Sequence, residues 1–307
     1  MCGCVLTATT TTEAPITNAA NLKLSGYWTK TGAINATISL YVRAHGQVAP
    51  ARLMMPENGS MICSKSDRCF RETFRMCAEF ITSSVILDYA RSHQIPISLK
   101  EDSIKDGTHV LPHSHAPVLI HTPKGAEVRS MVFSLTPSWS KERRVPFATF
   151  NARLDSLASK PTWRVPFARH RALVPMQGFI EPCYSGPFAG TMVRFCPQQQ
   201  TSILPPALWA AAVFDRWIDP HSKEELLSFA IITDTPGAAV ASIAHDRQPL
   251  LIRTECKDSW LDPTLIDPQT ILTLIPEIRA AEALLPEVDR HMKPGWEKRR
   301  SGAGVAR

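Results

Sequence analysis

No stretch of the sequence approaches the ~18 consecutive apolar residues that a membrane-spanning helix needs, so no membrane partner is expected. The first residues, MCGCVLTATTTTEAP, have neither a basic n-region nor an apolar core, which argues against a secretory signal. Cysteines are present but not in pairs of zinc-finger or disulfide-framework type. Cys2, Cys4, Cys63, Cys69 and Cys77 crowd the first 77 residues, while Cys183, Cys196 and Cys256 are scattered. A secreted disulfide scaffold is excluded, and free thiols in a reducing cytoplasm are the expected state. His109, His113, His115 and His121 lie close together, but Pro112 and Pro117 interrupt them and no cysteine pair joins them, so no metal is expected. Neither G-x-x-x-x-G-K-[ST] nor G-x-G-x-x-G occurs, which removes nucleotide hydrolysis and a dinucleotide cofactor.

What remains is a chain of 307 residues, 44% hydrophobic and 20% charged, a composition ordinary for a globular protein. That length suits one large domain or two small ones. The net charge of +6 is uneven: residues 1–76 hold eight Lys/Arg against four Asp/Glu, and the rest hold 26 against 24. Such an excess is compatible with a phosphate-bearing partner without demanding one.

Residues 1–60 show no sustained helical or strand period, and TATTTTEAPITNAAN is low complexity, so 1–75 is expected to be a disordered or artefactual extension. From Met76 the texture changes. CAEFITSSVILDYARSHQ spaces Phe80, Val85, Ile86 and Tyr89 as a helix does, with Ser83 and Ser84 as caps. Short apolar runs follow, among them APVLIHT, VRSMVFSL, RALVPMQGFIEP, ALWAAAVFD and LLSFAIITD, separated by Pro, Gly and charges as strands are. Helices are expected near 151–169 and 236–245, and over 268–285 around a break at Pro276. Residues 291–307 read as a basic flexible tail. Strands and helices without regular βαβ alternation give an α+β class.

Four phrases in the second region stand out: MCAEF at 76–80, TFNARLDSLASKPTWR at 149–164, RALVPMQGFIEP at 171–182, and SFAIITDTPGAAVASIAHDRQPLLI at 228–252. Alone, Asn151 suits a turn, Glu181 a surface carboxylate and His245 a helix end. Their order and spacing say more. The set resembles the SRAP family, the SOS-response-associated peptidase-like proteins that process abasic sites in DNA. That family typically begins Met-Cys-Gly-Arg-Phe, followed in order by N-A-R-x-E, G-x-x-E-W and I-H-x-R-x-P segments. MCAEF, NARLD, GFIEP and AHDRQP match these here, and TPSWS at 136–140 fits the Pro/Trp segment before N-A-R. The departures are Ala78 and Glu79 for Gly and Arg, Pro182 for Trp, and His109 for the Asn of a Y-N-x-A-P segment that survives loosely as THVLPHSHAP.

The resemblance implies an SRAP-like fold over 76–290, with a β-barrel-like core of mixed strands flanked by helices. It implies catalytic roles for Cys77, Asn151, Glu181 and His245, and a partner in single-stranded DNA containing abasic sites. No cofactor, nucleotide or metal is implied, and a cytoplasmic monomer, nucleoid-associated when bound to DNA, is expected. An abasic site exposes a C1′ aldehyde, and a free N-terminal cysteine is a 1,2-aminothiol able to close on it as a thiazolidine. Glu181 would move protons, Asn151 would orient the aminothiol and sugar, and His245 would donate to the opened sugar. Arg153, Arg164, Arg169, Arg171 and Arg247 are candidate phosphate ligands, and Trp139 and Trp163 candidate stacking platforms. A thiol (auto)peptidase and a non-catalytic single-stranded DNA-binding module are the rival readings.

The family's reactive cysteine is the mature N-terminal residue, whereas Cys77 has 76 residues ahead of it. Three readings stay open: translation beginning at Met76, cleavage before Cys77, or Cys2 as the nucleophile.

Overall fold

A computed structural model describes residues 78–99, 104–198, 207–243, 245–281 and 283–297, together with the backbone of 21–28, 34–44 and 47–52. Two compact units divide the chain, Met1–Arg71 and Glu72–Arg307. Cys2, Met76 and Cys77 lie outside the described residues.

The first unit contains a three-stranded antiparallel sheet, β1 (Asn21–Trp28), β2 (Ile34–Ala44) and β3 (Gln47–Arg52). Its register pairs Leu22 with Leu40, Leu24 with Ile38 and Val42 with Ala49. Regular structure was not expected anywhere in 1–75. The strand signal is there all the same: Ile34, Ala36, Ile38, Leu40 and Val42 alternate with polar residues, a period of two.

In the second unit a mixed sheet closes on itself. Its strands are β4 (Glu79–Thr82), β5 (Ile97–Ser98), β6 (His109–Val110), β7 (His115–Thr122), β8 (Gly125–Phe133), β9 (Asn151–Arg153), β10 (Arg171–Cys183), β11 (Thr191–Pro197), β12 (Leu208–Ile218), β13 (Glu225–Asp234), β14 (Gln248–Pro249) and β15 (Leu284–His291). The path β12-β13-β8-β7-β10 returns to β12, giving a five-stranded barrel, and β11 and β15 continue from β10 as a flap. β13 runs parallel to β8 and β9, so the sheet is mixed. Helices α1 (Val85–Ser92), α2 (Pro161–Arg169), α3 (Ala238–Ala241), α4 (Lys257–Leu261) and α5 (Pro268–Ile278) complete an α+β fold.

Alternation along the strands sorts side chains into two cores. Ala172, Val174 and Met176 of β10, Ala210 and Ala212 of β12, and Phe229 and Ile231 of β13 fill the barrel around Phe80 and Phe133. The intervening Leu173, Ala211, Val213, Ala230 and Ile232 meet the helices, with Phe167, Trp260 and Ile275. In the barrel, the Phe133 and Phe229 rings stack at 5.2 Å and Phe80 meets Phe133 edge-on at 5.3 Å, geometries that aromatic pairs favour.

The helix expected across 77–94 is split: Glu79–Thr82 is strand, Phe80 enters the barrel, and the helix starts after Ser84. Near 151–169 the first three residues join β13, a single 3-10 turn follows at Leu154–Ser156, and α-helix begins only at Pro161, where proline favours a first turn. The 236–245 helix shrinks to the four residues of α3. α5 passes through Pro276 but ends two residues later, and Leu284 and Leu285, expected at the end of that helix, open strand β15 instead. Residues 291–297, expected in a flexible tail, include Trp296, whose ring lies where a Cβ on Gly190 (φ +82) would intrude.

Candidate active site and nucleic-acid interface

β10 carries the first element of the site. Opposite β4 its register slips by one residue between Met176 and Gly178. Such a bulge reverses the alternation beyond it. Even-numbered residues face the barrel up to Met176, and odd-numbered Phe179 and Cys183 face it afterwards. Glu181, between them, is thereby turned inward and fully buried. Gly178 is required at this point, since a Cβ there would lie 2.5 Å from the Phe195 carbonyl oxygen.

His245, reached by the chain after α3, meets Glu181 from the other side. Its Nε2 lies 2.7 Å from the Pro182 carbonyl oxygen, and its Nδ1 lies 3.6 Å from Glu181 Oε2. A carbonyl only accepts, so Nε2 donates to Pro182, and Nδ1 is the ring nitrogen that faces the carboxylate. Two groups able to carry a proton thus face each other at the end of β10, an arrangement suited to handing one over. The contact uses the backbone of residue 182, so proline can replace the family's tryptophan without disturbing it.

Asn151 opens β9, opposite Ile231 of β13. Four residues on, Asp155 accepts from Arg153 Nη2 at 3.0 Å and Arg247 Nη2 at 2.6 Å, joining the NARLD and AHDRQP segments. Partial burial raises the Asp155 carboxyl, but the hydrogen bonds and charges of Arg247 and Arg153 outweigh it and hold the group below the usual range.

A cleft of about 960 Å³ runs past Ala78, the residue after Cys77. Its walls include Arg143, Arg144, His113, Leu111 and Phe147. His113 (φ 73) and Ser134 (φ 121), both on this cleft, occupy backbone regions that side-chain-bearing residues rarely adopt. Ser134 is held there by its N–H to Phe229 O at 3.0 Å. Beside the cleft the 136–150 loop presents Trp139, which is 56% exposed. The residues on either side of it are tied down: Ser138 N–H donates to Asp215 Oδ2 at 2.8 Å, and Ser140 O accepts from Trp217 Nε1 at 2.8 Å. An exposed indole on an anchored loop is a ready stacking surface.

Trp163 and Arg171 do not join this surface. Trp163 is buried in the helix-covered core, where α2 turns it and Phe167 to the same side. Arg171 is buried too, and four of its N–H donors go to the carbonyls of Trp260, Phe167, Ala168 and Asp262. It ties α2 and α4 to the start of β10, leaving little for a phosphate. Arg164 and Arg169 are exposed on α2, Arg153 is half-exposed, and Arg247 is mostly covered. The cations missed in the sequence are Arg143 and Arg144. Their signal was the run KERR between Trp139 and Phe147, a basic stretch interleaved with aromatics.

The SOS response associated peptidase (SRAP) family model matches residues 76–293. The chain belongs to the SRAP family. Relatives include the abasic site processing protein YoqW of Bacillus subtilis, 25% identical over 201 residues that cover 65% of this chain and 86% of that one. The chicken abasic site processing protein HMCES is 27% identical over 209 residues, covering 59% and 61%. A crystal structure of a Bacteroides thetaiotaomicron protein shares the fold, with a TM-score of 0.56 and 23% identity over 70% of this chain and 92% of its own. In this SRAP chain no helix among the described residues is long and apolar enough to cross a membrane, and no metal-type cluster occurs among them.

The departure at position 79 leaves no bare anion. Glu79 is buried and accepts from His109 Nδ1 at 2.6 Å and Arg290 Nη2 at 2.5 Å.

Proposed function

We propose that this SRAP chain processes abasic sites in single-stranded DNA, capturing the lesion's aldehyde through Cys77 once that residue is N-terminal. The observation that carries the reading is the buried Glu181–His245 pair, one residue along β10 from the rung that joins Ile180 to Glu79. Relatives named as abasic site processing proteins support the same substrate.

The chemistry asks for protons at three points. The α-amine of Cys77 attacks C1′ of the ring-opened sugar, and the carbinolamine needs a proton to expel water. The thiol then adds across the imine carbon, and its proton passes to nitrogen, so the thiazolidine forms with net loss of one water. Glu181, relayed by His245, supplies and recovers these protons, and Asn151 orients the reacting groups. Trp139 stacks on a flanking base, while Arg143 and Arg144 hold the backbone without reading sequence. An amide nitrogen cannot condense with an aldehyde, so Cys77 must first be freed, either by translation from Met76 followed by removal of that methionine or by cleavage before Cys77. Self-cleavage would make the chain a thiol autopeptidase as well.

The test compares the full chain with one starting at Met76, each incubated with single-stranded abasic DNA. Once it has lost Met76, the short chain is expected to give a heat-stable, borohydride-independent crosslink of protein plus DNA minus water, and Cys77→Ala should abolish it. A full chain that crosslinks only after a fragment beginning at Cys77 shows up by intact mass would establish cleavage. Crosslinking by uncut full chain that Cys2→Ala prevents would overturn the assignment.

A further inference from the structure

Two departures from the family pattern, Glu79 and His109, stand 30 positions apart in the chain and touch in the fold. A third residue joins them from the far end of the domain. Arg290 on β15 donates to Glu79 Oε2 across 211 positions. The Glu79 carboxylate is 7% exposed, so this anion sits out of water with a cation on one oxygen and an imidazole N–H on the other. Glu79 is paired with Ile180, whereas Glu181 follows on the opposite face, so the cluster backs the sheet whose other side holds the proton-transfer pair.

We propose that Arg290 is a positioning residue for the reaction assigned to Cys77, acting through Glu79. Glu79 is the first residue of β4, two positions after Cys77. A charge-assisted bond from β15 and a second from β6 fix that end of β4 between two strands. Without Arg290, the buried carboxylate is driven to swing toward solvent, and it carries the segment that delivers the aminothiol with it. The inference rests on the reading of Cys77 given above.

The experiment measures single-turnover crosslinking at saturating abasic DNA, using the chain that starts at Met76. Arg290→Ala should slow the rate constant by about 10–100-fold, the range a misplacement of ~1 Å can cost, with DNA affinity and the final yield unchanged. Arg290→Lys should recover most of the rate. Glu79→Gln with Arg290→Ala should be no slower than the slower single variant, because both act through one contact. A merely structural defect would instead lower the yield and the melting temperature, and the surviving protein would react at the normal rate. The inference is overturned if Arg290→Ala reacts at the wild-type rate, or if it loses yield alone. A wild-type chain that never crosslinks overturns the Cys77 reading, and this inference falls with it.

Discussion

Gly178→Ala tests whether the bulge in β10 builds the site. The added Cβ would lie 2.5 Å from the Phe195 carbonyl oxygen and 2.9 Å from Cys196 Sγ. The sulfur can rotate away. The carbonyl cannot, because Phe195 is held opposite Phe179 in the β10–β11 ladder and its ring stacks on Phe179 at 5.2 Å. β10 and β11 must therefore part. Overpacking of this kind costs about 1–3 kcal/mol. For a domain of this size each kcal/mol lowers the melting temperature by roughly 2–4 °C, so a fall of roughly 2–12 °C is expected. Glu181 lies three residues beyond the strained point and should move relative to His245, slowing crosslinking by about 10–100-fold. Thermal melting and single-turnover crosslinking of the same samples read both effects. Cys196→Ala added to Gly178→Ala removes only the sulfur contact and should restore neither. Wild-type melting and rate in Gly178→Ala, or full recovery with Cys196→Ala, would refute the argument.

Glu181→Gln keeps the shape of the buried side chain and should slow crosslinking by ~10²–10⁴-fold with single-stranded DNA binding nearly intact; an unchanged rate across pH would remove the proton-transfer role. Trp139→Ala should cost about 1–3 kcal/mol of single-stranded DNA affinity with no change in melting, as measured by titration. Trp163→Ala should do the reverse, losing about 3–5 kcal/mol of stability as a truncated core aromatic. His170 is pushed below its usual value by burial, only partly countered by Asp215, whose carboxylate also anchors Ser138. Its neutral form is therefore favoured in the fold, so stability is fully present above the unfolded value near 6.5 and is lost as pH falls through the lower folded one. Melting temperatures below pH 6.5 should drop less in His170→Gln than in wild type.

Glu181 was legible because a strand-like run ended on a carboxylate in a matched segment, although the bulge that turns it inward leaves no mark except Gly178. Trp163 and Arg171 misled for a shared reason. A tryptophan or arginine in sequence does not reveal whether packing or solvent claims it, and here α2 buries the one and four carbonyls occupy the other. Arg143 and Arg144 were visible as a basic run but fell between two matched segments. Arg290 was not legible at all, since its meaning comes from a partner 211 positions away.

That separation also bears on synthesis. β10 pairs with β4, β7, β11 and β12, strands drawn from both sides of it in the chain. Contacts this distant in sequence fold slowly, because long loops must close before the pairing rewards them. β15, which holds Arg290, is the last strand in chain order among the described residues, so the partner of Glu79 is made long after it. A chain interrupted before residue 290 would carry Cys77, Glu181 and His245 yet lack the bond that fixes the start of β4. The contact that closes on Glu79 is thus among the last that the described residues can form as the chain grows.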